Sequence, residues 1–427
     1  MPDRALALWF ASSWLAAIAA QAPAVPPAVA APPVVHGRVE LHSGVKLLRV
    51  WGTPQQRGYA HGKLLAADFV AVALPEFTAR FARKQGVLQQ ARGAVGRLIE
   101  YPEDVQQELL GLWQGLQDSK VDLRMPELDR SFDHTDLLVA NALDVFGLMG
   151  CSSFTVWGER VQGGGVMTAR NFDWPLTGAH MVDHTMLIVQ HFHDGHAVAS
   201  VGWPGFVGTV TGISDDGLAA FLHVGTGKIT YTPEPSSWPT AIAARRVLAH
   251  GVGAEPSALL RFAEEQLEYT SPPAGFLTHL VWPTAQKGGS PAVVFEADAK
   301  ECERGADAVG TETGLVLTNH FQVRKDGRAA GNDSLRREKD LHSGIAGCLA
   351  IDDRVVSIEE AWSLLASVQV KRKAAMGTLH SLVFRHEPWC FELRIGTLVD
   401  GLLVAAPESA RRLALQKATL FAPIETK

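Results

Sequence analysis

One cysteine sits where a short stretch of chain can turn it into a catalytic nucleophile. From Gly150 to Trp174 the sequence reads GCSSFTVWGERVQGGGVMTARNFDW. Cys151 opens a run of alternating apolar and polar residues, Gly163, Gly164 and Gly165 supply a turn, and a second strand-like run extends from Val166 to Phe172. The pattern predicts a β-hairpin whose return strand carries Arg170 and Asp173, which brings a guanidinium and a carboxylate beside the thiol. A thiol with a pKa of about 8.5 is mostly protonated at neutral pH, whereas a free α-amine titrates near about 7.7–8.0 and can take the proton from its own side chain. Cleavage of the Gly150–Cys151 bond would therefore create nucleophile and base together, and Gly150, with no Cβ, permits the strained backbone that such an attack requires. No GxSxG or HExxH pattern offers a competing centre. Alone, a cysteine on a strand is ordinarily a small buried hydrophobe, and an Arg and an Asp on the next strand are ordinarily an ion pair.

Further residues, in order along the chain, change that weighting. Cys151-Ser152-Ser153 is followed by Arg170-Asn171-Phe172-Asp173-Trp174 and by Trp203-Pro204-Gly205-Phe206-Val207-Gly208. A turn from Ser214 to Gly217 then leads into Leu218 to Val224, and Leu317-Thr318-Asn319-His320 and Ser334-Leu335-Arg336-Arg337 come last. In these motifs the chain resembles the cysteine branch of the N-terminal-nucleophile hydrolases, the group containing acid ceramidase, N-acylethanolamine acid amidase, the choloylglycine and penicillin V amidases and the penicillin acyltransferase. The resemblance covers most of the chain after Gly150. It implies a precursor that cuts itself before Cys151, and a new N-terminal cysteine that attacks an amide carbonyl. Carried over residue by residue, it implies that Asp173 orients the new α-amine and that Arg170 holds the thiolate side of the site and the substrate. Asn319 would point an amide N–H at the developing oxyanion. Arg336 or Arg337 completes the polar network, and the Ser-x-x-Arg spacing favours Arg337. For the second oxyanion donor, family members often place Asn or Tyr where this chain has His223 followed by Val224, a departure from the pattern.

The elements that must position these residues change character at Gly150. Residues 1–30 have the layout of a secretory signal peptide: Arg4, an apolar run from Ala5 to Ala20, and small-residue sites at Ala17-Ile18-Ala19 and Ala28-Val29-Ala30. A Pro/Ala-rich tether runs from Gln21 to Pro33, and the mature protein is expected outside the cytoplasm, secreted or periplasmic. Residues 31–150 read as a mostly helical pro-region or small subunit. Two short strand-like runs flank Ser43-Gly44, helices are predicted over Pro102–Leu116 and Thr135–Leu148, and His61, between Ala60 and Gly62, reads as structural. Residues 151–427 read as the catalytic subunit. Strands are expected at Thr185–Phe192, Ala197–Trp203, Val207–Ile213 and Leu218–Val224, helices at Pro239–His250 and Glu255–Tyr269, and late strands at Leu379–Phe384, Cys390–Ile395 and Leu402–Ala405. This is an α+β chain with layered packing. The resemblance implies a four-layer αββα sandwich, with helices outside two antiparallel sheets, and fragments that stay associated after the cut.

Composition narrows the function classes. The chain has 427 residues, is 47% hydrophobic and carries a net charge of −6, with no basic run interleaved with aromatics, which argues against a nucleic-acid partner. Its 4 cysteines include no CxxC pair, and beside Cys151 the remaining Cys302, Cys348 and Cys390 allow at most one disulfide. His184, His191, His193 and His196 have zinc-like spacing but no accompanying Cys or clustered carboxylates, so no metal is expected, and no cofactor. Gly225-Thr226-Gly227-Lys228 lacks the upstream glycine of a phosphate loop. Trp174, Trp203 and Phe206, with Phe172, can wall an apolar pocket. With the resemblance this points to a non-peptide N-acyl amide cleaved through a Cys151 thioester. An acyltransferase passing the same thioester to an amine is the alternative, and a non-catalytic secreted binding protein, which would remain uncut, is the other.

Overall fold

The computed structural model describes residues 33–142, 150–175, 180–227, 237–252, 256–268, 270, 275–284, 290–298, 302–305, 314–351, 354–370 and 376–424. The expected leader and most of the tether, residues 143–149 at the end of the helix expected before Gly150, and Lys228 lie outside these ranges. Two sheets lie at the centre. The larger has nine strands: β1 (Gly37–His42), β2 (Val45–Val50), β5 (Met186–His191), β6 (Ala197–Gly202), β7 (Thr211–Ser214), β8 (Ala219–Val224), β9 (Phe276–Val281), β10 (Ala292–Ala297) and β11 (Cys302–Gly305). The smaller has six, in the order β12 (Leu315–Leu317), β3 (Gly150–Trp157), β4 (Val166–Pro175), β13 (Met376–Arg385), β14 (Cys390–Ile395) and β15 (Arg412–Ala414).

Side chains alternate across each strand, so every strand feeds two layers. Leu47, Val189, Ala199 and Phe221 of the large sheet meet Leu315, Leu382 and Leu393 of the small one in a single buried cluster, which makes the two sheets face each other. The outer face of the large sheet packs on α6 (Thr240–His250) and α7 (Pro256–Glu268) through Val198, Ala220, Val247 and Leu259. Leu48, Val50 and Ile188 pack on α1 (Pro54–Leu64) through Ala60. On the outer face of the small sheet, α8 (Asn332–Leu349) and α9 (Ile358–Ser367) cover Phe154, Met167 and Val383 with Leu341, Ile345 and Trp362. Helix, sheet, sheet, helix is the expected αββα order, and it follows from these contacts.

One pairing differs from the expected all-antiparallel sheets. β2 runs parallel to β5, with Leu47 opposite Leu187 and Val50 opposite Gln190. A hairpin turn forces antiparallel pairing, whereas strands far apart in sequence are free to align either way. The region before Gly150 thus supplies two strands and an outer helix to the large sheet, and residues 35–427 form one compact unit. Helix starts are chemically marked: Thr53 caps α1 reciprocally with Gln56, and Ser357 caps α9 with Glu360. α2 (Ala66–Phe81), α3 (Gln85–Ala94), α4 (Glu103–Asp118) and α5 (His134–Asn141) gather a second apolar cluster around Phe69, Phe77, Leu109 and Leu112. Among the described residues, no helix is long and apolar enough to cross a membrane.

Candidate active site

The hairpin forms as expected and sets the first contacts by register. Gly150 lies opposite Asp173, Cys151 opposite Phe172 and Ser153 opposite Arg170. Arg170 is therefore the diagonal neighbour of Cys151 on the same face, within reach of a long side chain. Its Nη2 donates to Cys151 Sγ at 3.1 Å and to the Leu222 carbonyl at 2.6 Å. The thiol itself donates to the same carbonyl at 3.3 Å. Arg170 is fully buried, with its guanidinium 5.5 Å from the Phe172 ring and 5.6 Å from the Phe221 ring.

The other polar groups converge on the Cys151 backbone. Its N–H donates to Asn319 Oδ1 at 2.9 Å, and its carbonyl accepts from Arg337 Nη1 at 2.5 Å. Arg337 Nη2 donates to the same Asn319 Oδ1 at 2.8 Å, while its Nε is held by Asp333 at 2.8 Å. The Ser-x-x-Arg spacing places Ser334 one turn from Arg337, and Ser334 Oγ accepts the Asn319 backbone N–H at 2.8 Å. Asp173 accepts from Thr378 Oγ1 at 2.5 Å through Oδ1, and among the described residues its Oδ2 has no hydrogen-bond partner. An ideal Cβ on Gly150 would stand 3.4 Å from that Oδ2. Gly150 and this carboxylate oxygen therefore adjoin.

Burial dominates the electrostatics. It pushes the Cys151 thiol up to about 11, against the pull of Arg170. Burial likewise raises the Asp173 carboxyl above its ordinary value, with Arg337 and Arg170 opposing, and lowers Arg170. Burial thus favours the protonated thiol, consistent with its donating to the Leu222 carbonyl.

Two of the expected residues make other contacts in this structure than the resemblance implies. His223 is not at the thiol: its Nε2 bonds Ser153 Oγ at 2.9 Å, and Ser153 also bonds His279 Nδ1 at 2.8 Å. His223 meets β3 at Ser153, two residues along from Cys151 on the same face, and it is the Leu222 carbonyl that meets the thiol. Asn319 is in place, but its Nδ2 donates to the Val224 carbonyl at 2.9 Å instead of standing free for an oxyanion. That orientation is dictated by its neighbours, because Cys151 N–H and Arg337 are both donors and need an oxygen. Arg336 points outward to Asp333 and Asp340. Sequence reasoning missed Thr378 and Asp333, and it quoted Ser153 and Ser334 only within their motifs, without assigning either a contact.

Trp174, Trp203 and Phe206 line one apolar cavity of about 100 Å³ together with Phe172. Phe172 stacks on Trp174 at 5.9 Å and tilts against Trp203 at 5.6 Å, and Cys151 belongs to the same buried cluster. The loop carrying Trp203 to Gly208 is pinned from the N-terminal region. His61 Nε2 accepts the Gly205 N–H at 2.8 Å, and Asn141 bonds Gly205 O and Val207 N at 2.9 Å each. The clustered histidines turn elsewhere, His184 to Asp68 at 3.1 Å and His196 to Asp215 at 3.5 Å. All four cysteines are free thiols.

No family model matches the chain. It is 27% identical over 199 residues to an uncharacterized protein of Archaeoglobus fulgidus, covering 42% of this chain and 33% of that protein. It is 29% identical over 196 residues to protein dcd1B of Dictyostelium discoideum, covering 40% of this chain and 36% of that one. The chain thus spans about a third of the length of these curated relatives. Among solved structures it is similar to a Caenorhabditis elegans N-acylethanolamine-hydrolyzing acid amidase ortholog, with TM-score 0.38 and 13% identity over 55% of this chain and 92% of that one. It is also similar to penicillin V acylase from Agrobacterium tumefaciens, with TM-score 0.37 and 18% identity over 57% of this chain and 83% of that one. A conjugated bile acid hydrolase variant from Clostridium perfringens gives TM-score 0.40 and 12% identity over 62% of this chain and 97% of that one.

Proposed function

We propose that the chain is a secreted, self-processing cysteine amidohydrolase of the N-terminal-nucleophile type, cut between Gly150 and Cys151 and acting on N-acyl amides. One observation carries the reading. The thiol, the nitrogen and the carbonyl of Cys151 are each met by a separate polar side chain, Arg170, Asn319 and Arg337, and beside Gly150 stands a carboxylate oxygen of Asp173 that has no partner among the described residues. A buried structural cysteine needs none of these.

In the mature chain the freed α-amine, held by Asp173 Oδ2 and Asn319 Oδ1, takes the thiol proton. The thiolate, beside Arg170, attacks the substrate carbonyl, and the oxyanion is stabilised by donors that include Asn319 Nδ2 once it is released from Val224. Collapse expels the amine, which leaves with the proton from the α-ammonium, and water then hydrolyses the Cys151 thioester by the same proton route. The acyl group lies in the cavity walled by Phe172, Trp174, Trp203 and Phe206. The strands β1 and β2, built into the large sheet, hold the N-terminal fragment in place after the cut.

The test is the intact mass of the purified protein with an amine-release assay. Two fragments are expected, the larger beginning Cys-Ser-Ser-Phe, together with amine released from small N-acyl amides but not peptides from casein. Cys151→Ala should remain one chain, and cutting in that variant would overturn the reading.

A further inference from the structure

Asp173 is set by a strand from the far end of the chain. β13 pairs with β4 from Arg385 opposite Met167 to His380 opposite Phe172, and in that register Leu379 would stand opposite Asp173. A β-bulge intervenes, and the pairing resumes with Thr378 opposite Asp173. Asp173 also lies opposite Gly150 of β3, so Gly150, Asp173 and Thr378 form one row across three strands. The bulge thus puts a hydroxyl where the unbroken register would put a leucine, beside a fully buried carboxyl.

That hydroxyl has a fixed orientation. Val370, just beyond α9, donates its backbone N–H to Thr378 Oγ1 at 2.9 Å, and the Thr378 N–H returns to the Val370 carbonyl at 3.3 Å. With the oxygen accepting there, the single hydroxyl hydrogen is left to point at Asp173 Oδ1, 2.5 Å away, a distance typical of an O–H donating to a carboxylate. A protonated Asp173 donating to Oγ1 would deprive that hydrogen of its acceptor, so the arrangement fits the ionised form. The charged groups around Asp173 are Arg170 on β4 and Arg337 and Asp333 on α8, and among the described residues neither arginine bonds its oxygens. We propose that Thr378 is the positioning residue of the amine base: by filling Oδ1 it leaves Oδ2, beside Gly150 and without a partner among the described residues, as the place where the freed α-amine of Cys151 is held. This rests on the amidase reading, which supplies the amine. What Thr378 adds is the choice of oxygen, together with a hydrogen bond that favours the charged carboxylate.

The experiment compares Thr378→Val, which keeps the branched shape and loses the hydroxyl, with Thr378→Ser, which keeps the hydroxyl and loses a methyl. Gels of freshly made full chain follow the cut before Cys151. Two pH profiles then follow the mature protein: kcat/KM for amine release from short N-acyl ethanolamines, and the rate at which iodoacetamide alkylates Cys151, read by mass on the peptide beginning Cys-Ser-Ser-Phe. In the Val variant the cut should slow, kcat/KM at neutral pH should fall by about 10-fold, and the acid limb of both profiles should move up by about one pH unit, the size of one hydrogen bond to a charged group. The Ser variant should stay within a few-fold of the wild type with its acid limb in place. A role in packing alone predicts the reverse order, and Thr378→Ala carries the expectation of the Val variant if that one does not fold. A Val or Ala variant that is cut and alkylated like the wild type, or a Ser variant that falls as far, overturns the inference and leaves the amidase reading standing. A wild-type chain that stays uncut before Cys151 overturns both. Cutting with no amine released from any compound would count against the amidase reading, and the alkylation profiles would still decide the role of Thr378.

Discussion

At the scale of single residues, Arg337 holds the site together more than any other group after the thiol. It spans the Cys151 carbonyl, Asn319 and Asp333 with three different nitrogens. Lysine offers one point charge where arginine offers a planar fork, so Arg337→Lys keeps the charge and loses the geometry. We expect kcat to fall by about 10²-fold and maturation to slow, as for other groups that position an oxyanion site; steady-state kinetics and gels of freshly made protein check this. For His223→Gln the expectation is the opposite. Because His223 meets Ser153 and not the thiol, turnover should stay within a few-fold, while stability falls by about 1–3 kcal/mol from the broken buried network. A large loss of turnover with unchanged stability would return His223 to the chemistry. These two residues also show what the sequence made legible. Arg337 was preferred over Arg336 on its spacing from Ser334, one helical turn that is visible in the chain. The contact of His223 with Ser153, and of the thiol with the Leu222 carbonyl, was not legible, because a pairing between distant strands and a backbone acceptor leave no mark in a sequence.

Among the elements, the pair α1 and α4 shows how closely the N-terminal region is fitted. Gly58 and Gly62 of α1 face Gly111 and Gly115 of α4, and a Cβ on Gly58 would overlap the Glu108 carbonyl, as one on Gly111 would overlap that of Gln55. The contact brings Arg57 to Glu108 at 3.7 Å, and Glu108 in turn pairs with Arg245 of α6 at 2.8 Å, all three buried. Gly58→Ala should therefore force the helices apart and cost about 1–3 kcal/mol, the range for overpacking, against a gain in helix propensity of at most about 1 kcal/mol. Thermal unfolding measures it, and a stabilised variant would refute the close approach. The Gly58-x-x-x-Gly62 spacing of α1 stands in the sequence, but its complement on α4 is masked by an ordinary amphipathic pattern. Likewise the local hairpin of β3 and β4 was readable within some two dozen residues, whereas the parallel pairing of β2 with β5 joins segments with no local signal. The central strand β9 went unread because a short apolar run such as FLTHLV has no decisive period.

For the whole molecule, the interior between and around the sheets is stocked with neutral histidines. His223 and His279 share Ser153, His279 also meets Thr155 at 3.1 Å, His380 bonds Thr211 at 2.9 Å, and His61 holds Gly205. All four are buried, and burial lowers His61 to about 4 and His279 to about 3, with His223 and His380 pushed well below their ordinary value. The sign follows from linkage. Below about 6.5 the unfolded chain takes up protons that the folded chain refuses, so the stability from neutral histidines is whole above that pH and is lost as pH falls toward the folded values. Asp173 and Glu296, both raised by burial, work the other way and favour lower pH, but they are two groups against these four histidines. From His61 alone, a fall from 6.5 to about 4 corresponds to about 3 kcal/mol by pH 4. We therefore expect urea unfolding to give markedly lower stability at pH 4.5 than at pH 7, with the decline beginning near pH 6.5. His61→Gln, which keeps an acceptor for Gly205 N–H, should flatten the acid limb while retaining the pocket loop. A stability profile level from pH 7 to pH 4.5 in the wild type would show that these histidines are not held neutral, and that the polar seam between the sheets is open to protons.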